Sequence, residues 1–199
     1  MFNIDTSALF PTLFARTLNV LSDKQCDKLL EYCKTTSYDS DRSSSEKNVL
    51  KLFPDIKNLI EDIFLELTHD YMGGEKKCKF SVSNSWIAVV APNDAIQKHK
   101  HPNSFWSGVI YFSDNLTPIV FYKPKEETSF LLKTDNTTSF NIDMVHHQPQ
   151  KNEVIFFPSH LYHTVDTNTF DENRYSLSFN IMPNGIFGDN TASFHTKVL

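Results

Sequence analysis

The chain has 199 residues, a formal charge of −5, 40% hydrophobic residues and 22% charged residues. That balance excludes a disordered chain and suits one well-filled domain. The negative charge provides no basic footprint for a phosphate backbone, so nucleic acid is disfavoured as a partner. No stretch approaches the roughly 20 apolar residues that span a bilayer, and the N-terminus lacks the charged start and apolar core of a secretory signal. Phenylalanine occurs 17 times and glycine only 5 times, a bias that suits a sandwich or barrel interior lined with rings. The cysteines, Cys26, Cys33 and Cys78, show no metal-type spacing. They read as reduced thiols, which fits a cytoplasmic setting.

The first element in chain order is a helix. Ser22 and Gln25 have capping-box spacing, and Cys26, Leu29, Leu30 and Cys33 then recur on one face, which predicts a helix over 23–35. The serine- and charge-rich stretch 38–48 reads as a mobile loop. Pro54 suits a first helical turn, Ile56 to Leu67 form a second apolar stripe, and Gly73–Gly74 close that helix. From Lys79 onward short runs rich in Val, Ile, Phe and Tyr predict strands at 79–90, 96–101, 107–113, 118–123, 128–133, 139–145, 153–157, 161–166 and 174–182. The fold class is mainly β with N-terminal helices. A helical layer (1–75) covers an antiparallel jelly-roll body (79–183), with a C-terminal tail (184–199), in a single domain.

Three segments could do chemistry. His99 and His101 are two apart, so on an extended chain their imidazoles share a face. The apolar run Glu153–Phe157 ends at Pro158–Ser159 and is followed by His160 and His163, either of which can supply a ligand from a separate strand. Two near neighbours and one remote residue make a facial metal site with open positions. In 174–181, Tyr175, Leu177, Phe179 and Ile181 alternate with Arg174, Ser176, Ser178 and Asn180. One arginine among three short hydrogen-bonding residues is a poor solubility face and a good pocket wall. Its planar fork of donors would grip a carboxylate.

Three motifs carry a family resemblance. They are His99-x-His101-Pro-x-Ser-x-x-Ser107-Gly108-Val109-x-Tyr111, Phe157-Pro-Ser-x-x-x-His163 and Arg174-x-Ser176-x-Ser178-Phe179-Asn180. Over about 80–183 this pattern resembles a family of 2-oxoglutarate–Fe(II) oxygenases within the wider prolyl-hydroxylase-like group. The resemblance implies a double-stranded β-helix that holds Fe(II), takes 2-oxoglutarate as co-substrate, and uses O₂ to hydroxylate or demethylate an unknown small-molecule or protein side-chain substrate. Succinate and CO₂ would be released, and a homodimer is compatible with the family. His99 and His163 match the first and last histidine ligands, and the superfamily's spacing from the distal histidine to the arginine, here Arg174, selects His163 over His160. Arg174, Ser176 and, less directly, Tyr111 match the residues around the distal carboxylate of 2-oxoglutarate.

The superfamily carries a carboxylate where this chain has His101. The favoured reading has His99, His101 and His163 all binding the metal, and the alternative pairs His101 with Asn103. Asp94 and Asp114 lack the required spacing. The missing carboxylate leaves an inactive member of the fold open. His69 reads as a surface or interface residue, His146 and His147 as surface residues, Trp86 as core, and Trp106 as either core or pocket mouth. The run 121–127 reads as a charged loop. Two other functions compete: a cupin-like metal enzyme without a 2-oxoacid, and a metal-free jelly-roll binding module.

Overall fold

The computed structural model describes Ser7 and residues 11–75, 78–124, 133–188 and 193–198. The expected helix forms as α1, Asp23–Thr35, where the Gln25 side chain accepts the Ser22 N–H at 2.9 Å. A four-residue helix, α2 (Val49–Leu52), precedes α3 (Pro54–Met72), which ends on Gly73 at φ +69°. Only a residue without a Cβ accepts that left-handed cap readily.

The strands are β1 (Ala15–Leu18), β2 (Phe80–Val90), β3 (Ile96–His99), β4 (Trp106–Tyr111), β5 (Ile119–Tyr122), β6 (Met144–His147), β7 (Glu153–Pro158), β8 (His163–Val165), β9 (Arg174–Pro183), β10 (Gly185–Phe187) and β11 (Phe194–Thr196). They form a five-stranded sheet in the order β1-β7-β4-β9-β2, a four-stranded sheet in the order β3-β8-β5-β6, and a β10–β11 hairpin. All the pairings are antiparallel. From β2 to β9 the chain passes repeatedly between the two larger sheets, which is the double-stranded β-helix arrangement.

Alternation along each strand divides the residues between two layers. Ile110, Phe156, Leu177, Phe179 and Ile181 face outward and are buried beneath Leu29, Cys33, Ile56, Ile60 and Phe64 of the helices. Each such side chain contributes roughly 1.5–3 kcal/mol by leaving water. Val109, Tyr111, Ile155 and Phe157 point the other way, into the space between the sheets, with Ile119, Phe121 and Leu161. At Gly108 an added Cβ would lie 2.3 Å from Phe179 Cζ and 2.5 Å from the Ile155 carbonyl oxygen. A side chain there would push β4 away from the ring that the helices cover.

Several expectations need correction. The stretch 38–48 is not a mobile loop: it lies along β2, with bridges Ser43↔Ala88 and Asn48↔Ser85 and with Ser44 fully buried. Its backbone supplies partners that the β2 edge would otherwise lack, including Ser44 N–H to Ile87 O at 2.8 Å and Val89 N–H to Arg42 O at 2.9 Å. The N-terminal layer is not purely helical, because β1 pairs with β7, and the tail contributes the β10–β11 hairpin. The strand expected at 139–145 begins only at Met144, and that expected at 96–101 ends at His99. The strand expected at 128–133 lies outside the described residues, apart from Lys133, as does the end of the 121–127 run.

Candidate metal centre

Two adjacent strands of the smaller sheet bring the imidazoles together. β3 ends at His99 and β8 begins at His163, and these two residues are cross-strand partners. The chain then turns through Pro102–Asn103, so His101 reaches the same place from just beyond the strand. The ring centroids lie 4.2 Å apart for His99–His163, 5.0 Å for His101–His163 and 5.3 Å for His99–His101. One ligand atom from each histidine falls within 4.8 Å of the others, and among the described residues no Asp, Glu or Cys joins them.

In each ring one nitrogen is already engaged. The Nδ1 of His99 faces Gln97 O at 2.8 Å, that of His163 faces Leu161 O at 3.0 Å, and that of His101 faces Asn180 Oδ1 at 2.7 Å. Each of these oxygens accepts a hydrogen bond, so the geometry selects the Nδ1–H tautomer and leaves the Nε2 lone pairs for a ligand. His101 has the most elaborate support. Ser107 Oγ lies 2.8 Å from its Nδ1, donates to Asn180 Oδ1 at 2.7 Å, and contacts Ser159 Oγ at 2.7 Å.

Burial pushes His101 down to about 4, with the Asn180 contact opposing the shift and His99 adding to it. Burial also pushes His163 down to about 3, reinforced by His99 and opposed by the Leu161 carbonyl. Both rings are neutral near pH 7, the form that coordinates a metal. Phe157, at a centroid distance of 4.9 Å, and Phe121, at 5.9 Å, wall off His163.

The inward face of β9 runs from Asn180 beside His101 through Ser178 and Ser176 to Arg174. All four are buried, with Arg174 at 1% exposure. Arg174 donates to Ser176 Oγ at 3.0 Å, and its guanidinium carbon lies 5.4 Å from the centre of the Tyr111 ring. Among the described residues it forms no ion pair with a carboxylate, and both its Nε and the Tyr111 hydroxyl lack a hydrogen-bond partner. Burial pulls the guanidinium below its ordinary value and pushes the Tyr111 phenol above its own. A buried cation with free donors is costly unless an anion joins it.

The remaining candidates separate clearly. Asp94 is held by Arg42, and Asp114 lies 2.7 Å from Lys151, so neither carboxylate belongs to the cluster. Asn103 is exposed at a turn with φ +58°, and His160 is exposed. Trp86, expected in the core, lies beside the cluster instead, and Trp106, left open between core and pocket mouth, lies in the core. Trp106 is buried in the core at 4% exposure, 5.7 Å from Phe64, whereas the half-buried Trp86 ring lies 5.4 Å from His101. The parity of each strand decides this, since Trp106 falls on the outward face of β4 and Trp86 on the inward face of β2.

His147 is not a surface residue. Its Nε2 lies 3.2 Å from Glu153 Oε1, with side-chain exposures of 12% and 0%. Sequence reasoning missed Glu153, whose signal was a lone acid opening an otherwise apolar strand. It also assigned no role to Ser107 or Ser159, although both stand in the quoted motifs, and it placed Asn180 in the pocket wall without linking it to His101.

Fold and site together define a double-stranded β-helix protein whose interior carries an imidazole cluster and a buried arginine with no carboxylate partner among the described residues. Residues 84–180 match the family model described as "Putative 2OG-Fe(II) oxygenase". Among solved structures, a prolyl-4-hydroxylase from Pseudomonas putida aligns with TM-score 0.56 and 11% identity over 85% of this chain and 92% of its own. HygX from Streptomyces hygroscopicus, with nickel and 2-oxoglutarate bound, aligns with TM-score 0.57 and 11% identity over 85% and 82%. An oxidoreductase of the 2OG-Fe(II) oxygenase family from Burkholderia pseudomallei aligns with TM-score 0.57 and 12% identity over 85% and 83%. No curated protein sequence matches the chain. No helix among the described residues is long and apolar enough to cross a membrane.

Proposed function

We propose that this chain is an Fe(II)- and 2-oxoglutarate-dependent oxygenase of the hydroxylase or demethylase type, with His99, His101 and His163 as metal ligands. The observation that carries the reading is Arg174. It is buried, lacks a carboxylate partner among the described residues, and lies on the strand face that also carries Asn180, the support of His101. A co-substrate with a carboxylate at each end would suit both ends of that face, one end meeting the metal that His99, His101 and His163 would hold and the other pairing with Arg174.

The three Nε2 lone pairs suit a borderline divalent ion such as Fe(II), and with no carboxylate joining them among the described residues its charge would be balanced by the anionic co-substrate. When bound, the ion and the oxoacid together supply O₂ activation coupled to decarboxylation to succinate and CO₂. Arg174, Ser176 and Tyr111 bind and orient the distal carboxylate. Phe121, Ile155 and Phe157 exclude water, which strengthens those contacts. Asn180 and Ser107 hold the His101 proton on Nδ1. Trp86 walls the cluster on its half-buried side, where a substrate can approach. Free thiols, with Cys26 and Cys33 buried, support a reducing, cytoplasmic setting. A cupin-like enzyme without a 2-oxoacid would leave the Arg174–Ser176 pair without a purpose.

The deciding experiment adds Fe(II) and 2-oxoglutarate anaerobically to metal-stripped protein and records the visible charge-transfer band of a chelated 2-oxoacid. The band should appear in the wild type and be absent from His163→Ala. Iron binding without the band would sink the co-substrate assignment and favour the cupin-like enzyme.

A further inference from the structure

The alternation that turns His99 inward turns its neighbours Lys98 and Lys100 outward, to the opposite side of the same backbone. Both lysines are exposed, and neither forms an ion pair among the described residues. Each is nevertheless held in place. Lys98 Nζ lies 3.8 Å from the centre of the Tyr122 ring and 5.4 Å from that of Tyr162, and Lys100 Nζ lies 5.2 Å from that of Tyr162. The tyrosines are tied together by a 2.9 Å bond from Tyr122 N–H to Tyr162 O.

The same elements therefore carry the imidazole cluster on one face and a seated pair of ammonium groups on the other. Tyr162 immediately precedes His163, and Tyr122 follows Phe121, which packs 5.9 Å from His163. Among the described residues β3 is also an edge strand, paired with β8 alone. On the same sheet Asp166 lies 3.2 Å from His146 Nδ1 and forms no ion pair with either lysine.

We infer that the Lys98–Lys100–Tyr122–Tyr162 strip docks an extended acidic polypeptide segment laid along the free edge of β3. An edge strand offers main-chain bonds to an added strand. Lysines two residues apart match the repeat of acidic side chains two apart on an extended chain, about 6.6 Å. The ring faces are already occupied by ammonium groups, which removes the stacking platforms that a nucleic-acid strand uses. Seating also lowers the entropy cost of fixing two long side chains on a ligand. In a chain of charge −5 the attraction has to be local, so binding should weaken with salt. That this segment carries the side chain to be oxidised rests on the oxygenase reading, whereas the docking itself does not.

The test titrates the full metal-free chain into a short fluorescein-labelled peptide of alternating Glu and Ala and reads anisotropy at low and high salt. The comparators are the matching Lys–Ala peptide and an oligothymidylate of equal charge. The acidic peptide should bind best, lose affinity with salt, and bind Lys98→Glu/Lys100→Glu roughly tenfold more weakly. Lys98→Gln/Lys100→Gln should fall between, with circular dichroism and melting temperature unchanged in both variants. Equal or tighter binding of the oligothymidylate, no binding of either ligand, or unaltered peptide affinity in a folded charge-reversed variant would each overturn the inference. Edge lysines also discourage pairing between copies. If the variant aggregates while keeping its peptide affinity, that protective role is the whole of their function. Because no metal is present, failure here leaves the iron and 2-oxoglutarate assignments standing, and failure of those assignments leaves this one standing.

Discussion

Asn180 Oδ1 accepts the Nδ1–H of His101 at 2.7 Å across 79 residues of sequence. This single contact joins the inward face of β9 to the imidazole cluster. It selects the tautomer of a ring that burial already keeps neutral, and Ser107 completes the arrangement from the neighbouring strand β4.

The first prediction follows from that contact. Asn180→Ala should weaken Fe(II) or Co(II) binding roughly tenfold, the lower end of what losing such a support costs. Asn180→Asp keeps an acceptor at the same place and should restore most of the affinity. Metal titration followed by the Co(II) visible spectrum reads both variants, and equal affinity in wild type and Asn180→Ala would show that the ring needs no such anchor.

A second prediction concerns the conflict between stability and binding at Arg174. Arg174→Met replaces a buried, unpaired cation with an apolar chain of similar length, so the ligand-free protein should melt at the same temperature or higher. The same change would remove the proposed partner of the co-substrate carboxylate and should weaken 2-oxoglutarate roughly a hundredfold while sparing the metal. Differential scanning calorimetry and the charge-transfer titration measure the two effects. A large fall in melting temperature would mean that Arg174 serves the fold, and an unchanged titration would remove it from the pocket.

The third prediction is a pH dependence. His101, held at about 4, and His163, held at about 3, lie below the roughly 6.5 of an unfolded histidine. Between those values the unfolded chain binds more protons than the folded one. The contribution of the two rings is therefore fully present above about 6.5 and drains away as the pH falls toward 4 and then 3. Carboxylates held low act in a more acidic window. Asp55, lowered first by its bond from Gln25, loses its contribution only below about 4. The urea midpoint of metal-free protein should thus fall between about pH 7 and pH 5, and His163→Gln should flatten that slope. A level midpoint in the wild type would contradict neutral burial of the rings.

Much of the architecture was legible in local pattern, for physical reasons that act over a few residues. Capping at Ser22–Gln25, Pro54 at a helix start and Gly73 at its end depend only on the chain nearby, and α1 and α3 follow from them. The strict alternation of 174–181 was legible because a strand turns successive side chains to opposite faces whatever surrounds it. The choice between solvent and pocket for the polar row, however, required the second sheet.

Tertiary structure decided the rest, because register and parity are properties of pairs of strands. Trp86 turned toward the cluster and Trp106 into the core once β2 and β4 settled which face each presents. The segment 38–48 became ordered because the β2 edge needed partners that no local signal announces. His147 was drawn to Glu153 from the other sheet, and Asn180 to His101 across the interior. The sequence by itself determined which side chains could bind a metal and an acid. Only the packing of one sheet on the other decided which of them share an interior, since burial and desolvation arise from distant segments meeting.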